Sequence, residues 1–145
     1  MEADGLFVYG TLREGGIHHG WLQRTNPAGQ CLAWAPGRLF HLPEAGLPAM
    51  VLGSGATALP PSSGWVRGDF IGYENPEELE QALCDLDQLK GVEEGLFERR
   101  ICPVLLEGGQ QFSGWIYIFP ADRLPRLEKE ALELPEGDWT PYLSA

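Results

Sequence analysis

An apolar segment near the start of the chain runs directly into a turn that contains glycine. Leu6 to Val8 are followed by Tyr9, Gly10, Thr11 and Leu12. Consecutive apolar residues that end at a turn signal predict a buried strand, and the backbone N–H groups after such a strand lie at the edge of a sheet. Because glycine and small side chains add little bulk there, the turn can bind an anion such as a carboxylate. An ordinary turn after a strand is the alternative, and the rest of the chain has to decide between them.

One well-formed helix is predicted over residues 75–86. Asn75 is a favourable N-cap, Pro76 suits the first helical position, and acidic side chains fill the first turn. Apolar residues then recur at helical spacing, namely Leu79, Ala82, Leu83 and Leu86. The helix is therefore expected to bury one face.

Strands are predicted over 31–40, 65–73, 97–106 and 111–119. A glycine-containing connection joins the last two as a hairpin. The glycines within 65–73 permit close backbone approach, as a coiled or barrel-like sheet requires. We expect an α+β fold, a small mixed coiled sheet or β-barrel with a few short α-helices. The stretch over 53–64, rich in Gly, Ser and Pro, is predicted to be a surface loop that can cover a site.

The length of 145 residues predicts a single domain over 1–145. A chain of this length buries roughly 68–70% of its unfolded surface, which allows a substantial core. Its 43% hydrophobic content is typical of a globular protein.

The net charge of −11 is concentrated in the second half of the chain. Residues 1–73 carry five acidic and four basic side chains, whereas residues 74–145 carry sixteen and six. An acidic surface repels the phosphates of nucleic acids and of anionic membranes, so we expect neither as a partner. The acidic half leaves open an interaction domain that binds a basic protein.

The cysteines indicate a reduced, cytoplasmic protein. Their number is odd, their spacing is irregular and their surroundings are apolar, which predicts that Cys31, Cys84 and Cys102 are buried and unpaired. The adjacent His18 and His19 point in different directions on a short helix, so no metal site is expected. No apolar run approaches the roughly 20 residues of a membrane span, and the N-terminus is acidic where a secretory signal is basic.

The segment from Phe7 to Leu12 resembles the N-terminal signature of the gamma-glutamylcyclotransferase-like (AIG2-like) family, Tyr-Gly-Ser/Thr-Leu. Leu86-Asp87 and the later residues 96–99 resemble its central motif. Three further parts of the chain resemble conserved motifs of the family, namely Gly68, Trp115-Ile116-Tyr117 and Gly137-Asp138-Trp139. The resemblance covers nearly the whole chain and implies the small mixed-sheet fold of that family.

The resemblance also implies a function, the binding of the glutamyl end of a gamma-glutamyl amine or peptide and its release as 5-oxoproline. In the family an acidic residue takes a proton from the α-ammonium, and the free amine attacks the γ-carbonyl. No cofactor is needed, because both reacting groups belong to one molecule. The substrate-binding residues implied here are Tyr9, Gly10, Thr11, Leu12, Phe97 and Tyr117.

The position of the family's acid, three residues after Asp87, holds Lys90. A protonated lysine, with an ordinary pKa of ~10.4, cannot accept the proton and repels the ammonium. Glu93 or Glu94 can replace the acid, since the loop is one residue longer than the family spacing. A buried Lys90 that has lost its charge is another proton acceptor. Phe97 stands where the family has tyrosine, which removes one hydroxyl.

Three functions therefore stay open. The first is a cyclotransferase whose base is Glu94 or Glu93. The second is a non-catalytic module that binds a gamma-glutamyl compound or small acid at a degenerate site. The third is the acidic interaction domain. Of Arg99 and Arg100, neighbours on a strand, one points inward as a partner for a ligand carboxylate or for a structural ion pair.

Overall fold

The computed structural model describes residues 3–13, 19–23, 27–43, 46–53 and 64–139. Most of the predicted surface loop and His18 lie outside these ranges. No helix within them is long and apolar enough to cross a membrane. The elements follow in this order: β1 (Gly5–Val8), α1 (Gly20–Gln23), β2 (Gly29–Leu42), β3 (Leu47–Leu52), β4 (Trp65–Gly72), α2 (Pro76–Leu89), β5 (Glu98–Leu106), β6 (Gln111–Ile118), a 3₁₀ turn (Ala121–Arg123), α3 (Leu124–Glu130) and β7 (Leu132–Leu134).

Five strands close into a barrel, which confirms the predicted α+β class. Their order is β2-β4-β1-β6-β5, and β5 pairs with β2 to complete the ring. The strand β1 lies antiparallel to β4 and parallel to β6. The first part of β2, Gly29 to Pro36, pairs with β4, whereas Gly37 to Leu42 pairs with β3. One long strand therefore belongs to the barrel and to a smaller sheet that β7 also joins.

Both faces of β1 are buried, as its continuous apolar sequence predicts. Phe7 packs inside the barrel, while Leu6 and Val8 lie in a second cluster that includes side chains of α2. At Gly68 of β4 an added Cβ would overlap the backbone carbonyl of Val8. This strand pair is therefore closer than a side chain allows, and it fixes where β1 ends.

The helix α2 places its C-terminal end near the turn that follows β1. The side chain of Asn75 accepts a hydrogen bond of 2.9 Å from the backbone N–H of Glu77, so the predicted cap is confirmed. Leu83 and Leu86 are buried in the same cluster as Leu6 and Val8. The helix runs to Leu89, three residues further than predicted, and ends at Lys90.

The prediction that all three cysteines are buried is wrong for two of them. Cys102 is buried, but Cys31 and Cys84 are exposed. Cys31 lies among the first three residues of β2, all of which are exposed. Cys84 lies on the outer face of α2, since Ala82, Leu83 and Leu86 form its buried face. Local apolar composition did not distinguish a covered face from an open one.

Candidate functional site

The turn after β1 and the end of α2 line one small cavity, which we call the turn cavity. Its lining residues are Phe7, Val8, Tyr9, Gly10, Thr11, Leu12, Pro48, Lys90 and Tyr117. Its volume of about 10 Å³ is close to what one water molecule requires. The structure thus brings together the predicted turn residues, Tyr117 and Lys90. A ligand as large as an amino acid needs these side chains to move apart.

The turn is held tightly against β3. The backbone N–H of Arg13 donates to the carbonyl of Gly10 at 2.9 Å, which closes the turn. An added Cβ at Gly10 would overlap the ring of Pro48, so only glycine fits at this position. Nδ1 of His19 lies 2.9 Å from the carbonyl oxygen of Leu12. Because a carbonyl oxygen only accepts hydrogen bonds, Nδ1 carries the proton.

Arg13 fixes the exit of the turn to β4 and to the C-terminal segment. Its guanidinium lies 3.3 Å from Oδ1 of Asp69 and 3.7 Å from Oδ1 of Asp138. The side chains of Arg13 and Asp69 are only 10% and 11% exposed. A buried ion pair of this kind is costly to break on one side, because the remaining charge stays buried. The position of the turn therefore depends on this pair.

Tyr9 contributes to the barrel as well as to the cavity. Its hydroxyl donates to the backbone carbonyl of Tyr117 at 2.6 Å. Burial raises the pKa of Tyr9 above its ordinary value, so the phenol stays protonated. This hydrogen bond ties the end of β1 to β6.

Tyr117 connects the turn cavity to the last turn of α2. Its hydroxyl donates to Oδ1 of Asp87 at 2.7 Å, and the carbonyl of Leu83 lies 3.2 Å away. Burial, followed by the contact with Asp87, raises the pKa of Tyr117 above its ordinary value. Asp87 also pairs with Nε of Arg99 at 3.3 Å, and that guanidinium stacks 4.5 Å from the ring centre of Trp115. Arg99 is thus the inward arginine, and it forms a structural ion pair.

Lys90 is the charged residue that the structure places on the turn cavity. Its Nζ lies 5.3 Å from the ring centre of Phe97. Burial lowers the pKa of Lys90 to about 8. Phe97 is not among the cavity-lining residues; its ring packs edge-on against Phe119 at 5.8 Å. Phe97, predicted to bind substrate, therefore does not line the turn cavity but contacts Lys90, which does.

Glu93 and Glu94 are exposed and lie on a different cleft. This cleft of about 310 Å³ is lined by Asp87, Gln88, Val92, Glu93 and Glu94, and we call it the acidic cleft. In the loop that carries them, Val92 N–H donates to the Asp87 carbonyl at 3.0 Å and Leu96 N–H donates to the Gly91 carbonyl at 3.0 Å. The loop is thus folded on itself, and the structure brings neither glutamate to the turn cavity.

Two parts of the site carried no clear signal in the sequence. Pro48 meets Gly10 only because β3 folds back on the barrel, and nothing local relates the two residues. Arg13 has no signal of its own in the sequence, although the acidic Asp69 within an apolar strand indicates that a buried partner exists. Within the described ranges, no group of three or more His, Cys, Asp or Glu side chains is placed to hold a metal ion.

Comparison with known proteins gives a consistent result. The model of the family described as "Gamma-glutamyl cyclotransferase, AIG2-like" matches residues 6–141. A curated relative, the gamma-L-glutamyl-butirosin B gamma-glutamyl cyclotransferase of Niallia circulans, is 30% identical over 139 residues, which cover 94% of this chain and 76% of that protein.

Two solved structures share the fold. YkqA from Bacillus subtilis has a TM-score of 0.63 at 21% identity; the match covers 97% of this chain and 41% of that chain, so this chain spans less than half of YkqA. An AIG2-like protein from Mus musculus has a TM-score of 0.60 at 20% identity, with 86% of this chain and 84% of that chain covered.

Proposed function

Because this chain belongs to the gamma-glutamyl cyclotransferase, AIG2-like family, we propose that it binds the glutamyl end of a gamma-glutamyl amine or peptide and cyclises it to 5-oxoproline. The observation that supports this most is the turn cavity, where the turn after β1, Tyr117 and the end of α2 meet. The relative from Niallia circulans, named for a gamma-glutamyl cyclotransferase activity, supports the same class of substrate.

In this proposal the α-carboxylate of the substrate accepts hydrogen bonds from backbone N–H groups of the turn. The absence of a side chain at Gly10 keeps the backbone accessible once Pro48 moves away. With a net charge of −11, the protein attracts a carboxylate only where local dipoles or cations outweigh the overall field. The backbone N–H groups of the turn supply that local potential.

The reaction is an intramolecular acyl transfer. The neutral α-amine attacks the γ-carbonyl carbon, a C–N bond of the five-membered lactam forms, and the C–N bond to the departing amine breaks. Holding the two groups in one bound molecule removes the entropy cost of bringing them together. The α-ammonium must first lose a proton. Glu94 and Glu93, the acceptors expected from the sequence, require the loop over 91–95 to move toward the turn.

A non-catalytic module that binds a small acid or a gamma-glutamyl compound is the second candidate. The observation that favours it is Lys90 on the wall of the turn cavity, since a protonated lysine holds a carboxylate but removes no proton.

The release of 5-oxoproline, followed by mass spectrometry, separates these functions. The substrates are gamma-glutamyl dipeptides, glutathione and gamma-glutamyl-ε-lysine, and calorimetry measures binding in parallel. Glu93→Gln and Glu94→Gln are assayed beside the wild type. Release from any substrate supports the enzyme, and its loss in one variant identifies that glutamate as the base. Binding without release supports the module, and neither binding nor release contradicts both.

A further inference from the structure

The backbone fixes Lys90 at the turn cavity. It is the C-cap residue of α2, and its N–H donates to the carbonyl of Leu86 at 2.8 Å. Leu83 and Leu86 anchor this end of the helix against Leu6 and Val8, the residues that lead into the turn. The packing of α2 against β1 therefore fixes the positions of both the turn and the Lys90 side chain.

Within the described part of the chain, the elements around the cavity present no free carboxylate to Lys90. Two phenols line it, Tyr9 after β1 and Tyr117 on β6, and the pKa of each is raised above its ordinary value. Asp87, one turn earlier on α2, is engaged by Tyr117 and by Arg99 of β5. Pro48 of β3, the remaining lining residue from outside these elements, carries no charge.

The charged groups farther from the turn cavity contact other parts of the protein. Glu93 and Glu94 line the acidic cleft. The guanidinium of Arg123 lies 6.0 Å from the ring centre of Phe119. Among the residues that the structure describes, Lys90 forms no salt bridge within 4 Å, and its charged contact is with the ring of Phe97. Burial without a counter-charge favours the neutral amine, which is why the pKa of Lys90 falls to about 8.

We propose that the neutral side chain of Lys90 accepts the proton of the substrate's α-ammonium, so that this protein is a cyclotransferase with a lysine base in the turn cavity. This role rests on the proposed function and names the group that starts the reaction. It needs no movement of the loop over 91–95, because Lys90 already lines the cavity.

The proton and electron balance is complete without a further reactant. Nζ of Lys90 takes one proton from the α-ammonium, and the freed lone pair forms the lactam C–N bond. As the bond to the departing amine breaks, the ammonium of Lys90 gives that proton to the departing nitrogen. The lactam nitrogen then loses its second proton to the neutral Nζ, which passes it to the departing amine. That amine leaves as an ammonium ion, the lysine is neutral again, and no oxidant, reductant or water is consumed.

A lysine base and a carboxylate base differ in the pH at which they become active. The lysine is active as a neutral amine above its pKa, whereas the carboxylate is active as an anion at much lower pH. Below its pKa, Lys90 is a cation that holds no free pair for the proton and repels the α-ammonium. We expect kcat/KM of the wild type to rise about tenfold per pH unit and to level off above about 8. In Lys90→Glu, a carboxylate is already ionised at pH 6, so the profile between pH 6 and 9 is expected to be flat.

The experiment is the pH profile of 5-oxoproline release, with the thermal stability of each variant checked by circular dichroism. Lys90→Met, which keeps the length and apolar part of the side chain, is expected to lose at least about 100-fold in kcat/KM at pH 8.5. Lys129→Met, a change of the exposed lysine on α3, is the matched control and keeps the wild-type profile. Restored release at pH 6 in Lys90→Glu shows that the loss in Lys90→Met is not a folding defect.

Calorimetry with 5-oxoproline, which has the carboxylate but no α-ammonium, separates this inference from the proposed function. If the wild type neither binds 5-oxoproline nor releases it from any substrate, the proposed function fails, and the role of Lys90 with it. If release occurs but persists in Lys90→Met, or is lost in Glu93→Gln or Glu94→Gln, Lys90 is not the base. A Lys90→Met variant that only binds more weakly, with unchanged kcat, makes Lys90 a carboxylate anchor and also overturns its role as base.

Discussion

Two cavities meet at the C-terminal end of α2, and they differ in both size and charge. The turn cavity has a volume of about 10 Å³ and contains Lys90, while the acidic cleft has about 310 Å³ and contains Glu93 and Glu94. The hydrogen bond between Tyr117 and Asp87 separates them. Size alone favours the acidic cleft, but the glycine turn belongs to the smaller cavity. The difference shows that a lysine lines the cavity at the glycine turn, whereas the two glutamates line the acidic cleft.

The chain direction after α2 explains this distribution of charge. Lys90 still has a helical backbone conformation, with φ −88° and ψ −1°, so its side chain stays beside the last turn. Gly91 then adopts a φ of +62°, which favours glycine, and an added Cβ there would overlap the side chain of Leu96. The residues after Gly91 are thereby turned into the acidic cleft.

The largest expected effect comes from removing the cation that holds the exit of the turn. Arg13→Met leaves Asp69 buried without its main partner, so the free energy of unfolding should fall by about 3 kcal/mol. Urea denaturation followed by tryptophan fluorescence measures it. Arg100→Met, which removes an exposed arginine paired with Glu98, is the control and should change stability by less than about 0.5 kcal/mol. Equal effects of the two substitutions would show that the turn does not depend on the buried pair.

Closing the turn cavity with one methyl group should have the next largest effect. Gly10→Ala places a Cβ against the ring of Pro48, and we expect a loss of about 2 kcal/mol in stability together with loss of ligand binding. Gly29→Ala is a matched control, because its Cβ meets no atom within 4 Å. Denaturation and calorimetry are run on both. Undiminished binding of 5-oxoproline by Gly10→Ala would place the ligand outside the turn cavity.

The Tyr117 hydroxyl donates the hydrogen bond to Asp87 that lies between the two cavities. Its removal should lower stability by less than the two changes above. Tyr117→Phe is expected to lower stability by about 1 kcal/mol, since Asp87 keeps Arg99 as a partner. Tyr9→Phe removes a hydrogen bond of similar length inside the barrel and serves for comparison. Amide NMR shifts at Glu93 and Glu94 should change in Tyr117→Phe only. Unchanged shifts there would mean that the hydroxyl does not organise the acidic cleft.

The smallest effect is the pH dependence of stability that Lys90 introduces. Its pKa is about 8 in the folded protein and ~10.4 when unfolded, so the unfolded chain binds more protons between these values. The free energy of unfolding therefore rises as pH increases from about 8 to about 10. The rise is on the order of 1 kcal/mol, because Lys90 is only partly buried. Urea denaturation of the wild type and Lys90→Met over this range measures the difference. A constant difference would contradict a lowered pKa.

Local features of the sequence were predictable, and contacts between distant segments were not. The cap at Asn75 and the hairpin between β5 and β6 depend on neighbouring residues. The position of Lys90 at the turn was implied by the resemblance to the family, whose acid stands three residues after the position of Asp87. In contrast, the contact of Pro48 with Gly10 depends on how β3 returns to the barrel, and no pattern in either segment specifies it.

The sequence also did not predict which single residues are exposed and which are buried. Cys84 follows two buried residues on α2, Ala82 and Leu83, yet it faces outward because three consecutive helical residues cannot share one face. Glu93 and Glu94 follow Gly91, whose positive φ sets the loop direction, and a glycine permits either sign of φ. Sequence reasoning therefore related Lys90 to the turn but did not show that Glu93 and Glu94 face a different cleft.

A titration of isotopically labelled protein with gamma-glutamyl-alanine, followed by amide NMR, shows directly which cavity the ligand occupies. If the glutamyl end binds at the turn, the largest shifts should occur at the amides of Gly10, Thr11, Leu12 and Lys90. Shifts confined to Val92 through Gly95, with the turn unchanged, would place the ligand in the acidic cleft and contradict the proposed site.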